Sequence, residues 1–468
     1  MKPKYFLALG LLVLGLGSCG ESFFEQYPSN NITEGNFYKT DDDFNQGVVA
    51  CYAKLKTQMS FHLTEIGYRG DENVLESMAV STQNRYDIDH FAETANNGIL
   101  NDIWNAWYNG IYRCNDVLDH MTGAKIANYD KYRGECLFLR SWWYFNLYRV
   151  FGVVPILSLM PITRTVVTPA AAKLIPRCTE EEMYTLLTED LAEAARLLPP
   201  TPGPEKARVA NIAAYTLLAK VYLTFGKPAE AKTALEEAMK NTSYGLESTT
   251  KKVFDVGNKM NREIIFALYY NKTNDNGHGY WYSANTDVLA DINNPTPTFK
   301  AIYDSEKDNR LPLISSYTKI KDNLFAMTKW YDTYDATYTT QVGNDFPHLR
   351  YADVVLMYAE ALAESGGSLG DALEWLNKTR TRAGLDELTT DEVKSLAEFR
   401  RELAAERGRE FALEGHRWFD LVRLGLAVDY FREMGYSLDS HNLIFPIPQN
   451  QIEIVNNPSI LWQNPGFN

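Results

Sequence analysis

Residues 208–240, RVANIAAYTLLAKVYLTFGKPAEAKTALEEAMK, restrict the fold more than any other part of the chain, because they fit a tetratricopeptide unit position by position. Tyr215 takes the Trp place of that pattern, Leu218, Ala219 and Tyr222 follow, and Ala231 with Leu235 supplies its Ala-x3-Phe signal. Small side chains at Ala219 and Ala231 let two antiparallel helices approach closely, while Tyr215, Leu218, Tyr222 and Leu235 fill the groove between them. Gly226, Lys227 and Pro228 supply the turn, with Gly just past one helix end and Pro opening the next. One such hairpin cannot bury its own apolar face, so the chain must contain neighbours of the same kind. Ala372 and Leu376 repeat the signal within 369–382, across the Gly366-Gly367 turn from a helical stretch at 350–364. The expected fold is mostly α, a stack of tetratricopeptide-like helix pairs.

The first residues indicate a compartment. Lys2 and Lys4 precede an apolar run at 6–16, shorter than the ~20 residues a membrane-spanning helix needs, so 1–18 reads as an export signal peptide. Leu16-Gly17-Ser18-Cys19 resembles a bacterial lipobox, which implies that Cys19 becomes the first mature residue and carries acyl chains such as palmitate. Each buried CH₂ of those chains contributes about 0.8 kcal/mol to anchoring. Residues 19–31 then form a polar tether, and the folded part divides into 32–243 and 244–468. A net charge of -14 argues against nucleic acid and against electrostatic binding to anionic lipid. Cys51, Cys114, Cys136 and Cys178 form no CxxC pair and read as buried free thiols, with a disulfide as the alternative that an exported chain permits.

Helical spacing predicts a first helix at 41–59, with Phe44, Val48, Val49, Tyr52 and Leu55 apolar, and others at 99–121 and 132–151. Residues 67–97 have no period and read as a long loop of the functional kind. Residues 153–177 read as extended; Thr179 and Glu182 form a capping box that opens a helix at 180–198. From 244 to 346 the chain turns to Asn, Thr, Gly, Pro and aromatics, with at most short strands such as 263–269. Residues 399–424 read as one densely charged helix and the tail from Phe445 as strand or loop closing onto the body.

Taken in order, the lipobox at Cys19, Trp104-x3-Tyr108-x2-Ile111-x3-Asn115, the run 140–155, the helix pair above, Glu406 to Arg423 (ERGREFALEGHRWFDLVR), Phe445-Pro446-Ile447-Pro448 and Gln463-Asn464-Pro465-Gly466-Phe467 resemble the SusD/RagB family of Bacteroidetes lipoproteins. The resemblance implies a SusD-like fold, about four tetratricopeptide-like pairs with an irregular, loop-rich part that carries the ligand site. It also implies a non-enzymatic protein without cofactor, lipid-anchored and exposed at the cell outer membrane. Such a protein captures glycans and delivers them to a SusC-like TonB-dependent transporter for nutrient uptake; a minority of relatives handle peptides instead.

Two enzyme readings are weaker. Glu406, Glu410, Glu414, His416 and Asp420 share a helix face but lack a His-Glu-x-x-His spacing, and Arg407, Arg409, Arg417 and Arg423 lie among them. A half-buried ion-pair network explains them better than metal ligation or acid–base catalysis. A glycoside hydrolase needs two carboxylates flanking a bond, and no motif nominates such a pair. Sugars present flat C–H faces and rings of hydroxyls, so capture requires exposed aromatic platforms beside planar or charged hydrogen-bonding groups. Two loop regions offer these: Asp71, Asn84, Arg85 and Tyr86 in the first, and Tyr280, Trp281, Tyr282, Trp330, Tyr331 and Tyr334 in the second. Trp104, Trp142, Trp143, Trp375 and Trp418 lie on expected helices and read as core.

Overall fold

The computed structural model describes residues 37–72, 83–157, 169–203, 207–271, 283–285, 295–321, 324–332 and 343–467. The expected signal peptide, Cys19 and the expected tether lie outside the described residues. Eight helices form the stack: α1 Asp41–Gly67, α2 Gly98–His120, α3 Tyr129–Phe151, α4 Glu180–Leu197, α5 Asn211–Thr224, α6 Pro228–Met239, α7 Tyr351–Glu364 and α8 Leu369–Arg382. Each packs against the one before it, and α7 packs on α6 although the whole stretch from Lys240 to Arg350 intervenes. The four expected pairs are therefore one continuous layer.

The local reasons are those the sequence offers. Thr179 opens α4 with a reciprocal capping box: the Glu182 N–H donates to Thr179 Oγ1 at 3.1 Å, and the Thr179 N–H donates to Glu182 Oε2 at 2.7 Å. In the hairpin of α5 and α6, Ala219, Ala231 and Leu235 have no exposed surface, and Gly226 makes the turn at φ +68°. Trp104, Trp142, Trp143 and Trp418 are buried, whereas Trp375 is half-buried with Tyr358 against its ring. All four described cysteines are buried and free.

Close approach of α2 and α3 depends on Gly110. A Cβ there would lie 2.2 Å from Cε2 of the buried Trp143 ring. Gly110→Ala therefore sets a helix-propensity gain of about 1 kcal/mol against an overpacking cost of about 1–3 kcal/mol. Net destabilisation of about 1 kcal/mol is expected by urea unfolding; a gain would show that Trp143 moves freely.

Several expected boundaries give way. Helix α1 continues past Met59 to Gly67, because Leu63 and Ile66 extend its buried stripe and His62 accepts the Trp107 indole N–H at 3.1 Å. Val49, expected on the buried face, is 48 % exposed. The charged segment is two helices, Leu396–Glu410 and Arg417–Arg423, because Leu413 (φ +64°) and Gly415 (φ +75°) turn the backbone between them. The tail contains a helix, Gln449–Val455, ended by Asn456 at φ +48°. It does close onto the body: the Phe445 N–H donates to Val150 O at 2.9 Å and Asn464 Nδ2 donates to Phe151 O at 3.0 Å.

Strands occur only in the excursion between α6 and α7, among the described residues. Ile264–Leu268 pairs antiparallel with Phe346–Arg350, and Leu324–Met327 lies between Ser283–Asn285 and Tyr317–Lys321. A buried ionic network ties this part to the stack. Arg350 reaches Glu263 at 2.6 Å, Glu410 at 2.9 Å and Glu414 at 2.8 Å; Arg310 reaches Asp308 at 2.9 Å, Glu406 at 2.7 Å and Glu410 at 3.1 Å. Lys329 pairs with Glu414 at 2.7 Å and Arg382 with Glu263 at 2.7 Å. The network is fully buried rather than half-buried, since its members stand between two layers and not on a helix surface.

Candidate functional site

The first expected ligand region is not a loop throughout. Asn84, Arg85 and Tyr86 lie on a short helix, Gln83–Asp89, whose inner face buries Ile88 and Asp89. Its position is fixed by the start of α2. Asn97 caps α2 by accepting from the Ile99 N–H at 3.0 Å, and its amide donates to Asn84 O at 2.9 Å. The Gly98 N–H donates to Asn84 Oδ1 at 3.3 Å. The side chains that could meet a ligand are thereby attached to a rigid stack helix.

One turn beyond Tyr86, His90 folds back on it. The rings stack with centroids 3.8 Å apart at 17°, and His90 Nδ1 lies 3.0 Å from Tyr86 O and 3.2 Å from Asp89 Oδ2. The His90 side chain remains 34 % exposed, Tyr86 is half-buried and Asn84 is exposed. Arg85 approaches Glu65 of α1 at 3.3 Å. Burial pushes the Glu65 carboxyl up to about 8 against the pull of Arg85. The result is a stacked aromatic pair on the short helix that also carries Asn84 and Arg85, with the Arg85 guanidinium turned toward Glu65. Such a surface can stack on an apolar ring face and hydrogen-bond its substituents.

Other expected residues are elsewhere. Asp71 is buried and structural: Arg417 Nε donates to Oδ1 at 2.9 Å and the Tyr430 hydroxyl donates to Oδ2. Its place in the sequence suggests the ligand region, but its partners arrive from the far end of the chain. Trp330 is 1 % exposed, with Phe254 at 5.2 Å and Phe346 at 6.2 Å between ring centroids, and it is core rather than platform. The space beside it, about 20 Å³, is no larger than a water site. Tyr331 is half-buried next to it. Tyr280, Trp281, Tyr282 and Tyr334 lie outside the described residues. His90 joins the surface of Tyr86 without being among the sequence candidates; its position four residues after Tyr86, one helical turn, is the signal that points to it.

Among the described residues no three His, Cys, Asp or Glu side chains are placed to hold a metal ion, and no helix is long and apolar enough to cross a membrane.

The model of the SusD family matches residues 309–467, and a second model, described as starch-binding and associating with the outer membrane, matches residues 27–223. SusD-like protein P2 of Formosa agariphila is 25% identical over 99% of this chain and 100% of its own length. Starch-binding protein SusD of Bacteroides thetaiotaomicron is 33% identical over a stretch covering 30% of this chain and 26% of that protein. In structure, a SusD superfamily protein from Bacteroides vulgatus superposes with a TM-score of 0.76 at 23% identity, covering 92% of this chain and 100% of that one. A laminarin-binding SusD-like protein superposes with a TM-score of 0.74 at 24% identity, covering 92% and 100%. Two models matching on either side of the excursion, a full-length relative and a shared stack place this chain in the SusD/RagB family.

Proposed function

We propose that this protein binds glycans at the outer surface of the cell, without cleaving them, and passes them to a SusC-like TonB-dependent transporter. The observation that carries the reading is the partly exposed, stacked Tyr86–His90 pair on the short helix that carries Asn84 and Arg85, held on a scaffold whose relatives include proteins named for starch and laminarin binding. The rest of the binding surface comes from Tyr280, Trp281, Tyr282, Tyr331 and Tyr334. Anchoring is through lipid on Cys19 in the outer membrane, consistent with the family description and with the leader.

The test is native electrophoresis of the purified protein through gels containing plant, host and microbial polysaccharides. Retardation by one polysaccharide, with no reducing ends released, is expected. Tyr86→Ala should weaken that binding about tenfold, which corresponds to about 1.4 kcal/mol of stacking and buried area. Retardation by none of the polysaccharides, with peptides co-purifying instead, would overturn the reading.

A further inference from the structure

A separate cleft lies between the end of α3, the end of α5 and the helix Arg417–Arg423, with a volume of about 510 Å³. We infer that it is a binding site for a small oxyanion, a carboxylate or sulfate group carried by a ligand, and that Arg149 is the cation that receives it.

Charge pairing carries the inference. Behind the cleft stand four cations, Arg149, Lys220, Arg407 and Arg423, and three carboxylates, Asp353, Glu360 and Asp420. Lys220 pairs with Asp353, and Arg407 reaches Asp353 at 2.9 Å and Asp420 at 2.8 Å. Arg423 pairs with Glu360 and with Asp420 at 2.9 Å. Every carboxylate is thus engaged by other cations, and Arg149 makes no ion pair. His416 adds no charge, since burial holds its pKa well below the ordinary value. Glu180, at the mouth, is exposed and accepts the Tyr148 hydroxyl at 3.0 Å.

Arg149 is nonetheless firmly placed. Its guanidinium lies 3.9 Å from the centre of the Phe419 ring and 4.7 Å from that of Phe145, and one nitrogen donates to Asn146 Oδ1. Its Nε is buried with no acceptor. Burial draws its pKa down to about 9 while Asp420 and Asp353 pull it back up, so the group is cationic at neutral pH. A desolvated cation without a counter-ion costs several kcal/mol. The fold supplies counter-ions to the other three cations and leaves this one facing a cavity of the size that holds small ligands. A planar guanidinium at the wall of the cleft matches a carboxylate or sulfate, and a neutral sugar would leave the charge unmet. The inference does not rest on the glycan reading, because the cleft shares no residue with the surface around Tyr86.

Calorimetric titration of the purified protein with sodium sulfate, glucuronate and glucose, at fixed ionic strength in sodium chloride, tests it. Saturable binding of sulfate, glucuronate or both is expected, weakened at least tenfold by Arg149→Met and less by Arg149→Lys, with glucose indifferent to both substitutions. Sulfate without glucuronate assigns a sulfate ester; glucuronate binding assigns a carboxylate. Without anions, Arg149→Met should melt no lower than the wild type, since it removes an unpaired charge. Should that variant not fold, Val153→Trp, which occupies the cleft and keeps Arg149, must weaken the anion equally. Absence of binding at millimolar sulfate and glucuronate, or equal binding by Arg149→Met, would overturn the inference.

Discussion

Glu410→Gln should cost this protein about 3–5 kcal/mol of stability, because Glu410 accepts from Arg350 at 2.9 Å, from Arg310 at 3.1 Å and from Arg382 at 2.5 Å with no part of its side chain in water. The amide puts N–H donors against three guanidiniums and leaves buried positive charge uncompensated. Urea unfolding at neutral pH measures the loss, and a difference below about 1 kcal/mol would show that the network relaxes around the change. The pH dependence gives a second reading. Burial alone would raise the Glu410 carboxyl, but Arg382, Arg350 and Arg310 overcome it and hold the pKa below its ordinary value. A carboxylate depressed in the folded state contributes fully above its unfolded value, near about 4.3, and that contribution fades as pH falls toward the folded value. The gap between wild type and variant should therefore be constant from pH 6 to 8 and narrow below about pH 4.

Trp330→Ala should be a stability variant and not a binding variant. The ring is fully enclosed by Phe254, Phe346 and the neighbouring core, so truncation costs about 3–5 kcal/mol through lost transfer energy and the cavity left behind. Thermal melting should drop by many degrees, while the folded fraction should retain the affinity of the wild type for whatever polysaccharide retards it. Loss of affinity at unchanged melting temperature would return Trp330 to the ligand surface and contradict its burial. The contrast with Tyr86→Ala, which should leave melting nearly unchanged, makes the pair of variants informative together.

The two Trp330 readings show where sequence stops being sufficient. Trp330 and Tyr86 look alike in the chain, aromatic residues within polar, irregular stretches. One is enclosed because Phe254 and Phe346, on either side of a long excursion, close over it; the other stays half-exposed because its short helix lies against the end of α1 and the start of α2 with nothing closing over Tyr86. Asp71 is a parallel case: a polar residue in a promising region, claimed by Arg417 and Tyr430 from several hundred residues away in sequence. Nothing local to Asp71 carries that information.

The stack itself was legible. Its helices, the α4 capping box, the Gly226 turn and the burial of Ala219 and Ala231 in the hairpin all follow from interactions within a few residues, which is the range over which helix periodicity and capping act. The mixture of Arg and Glu at 406–423 announced an ion-pair network, but not its partners Arg310, Arg350, Arg382 and Glu263. What the sequence alone determined is therefore the helical architecture and the family. What the tertiary structure decided is which polar and aromatic side chains are enclosed, and that Arg149 faces a cleft without a carboxylate of its own, because enclosure and counter-ion supply depend on segments distant in the chain.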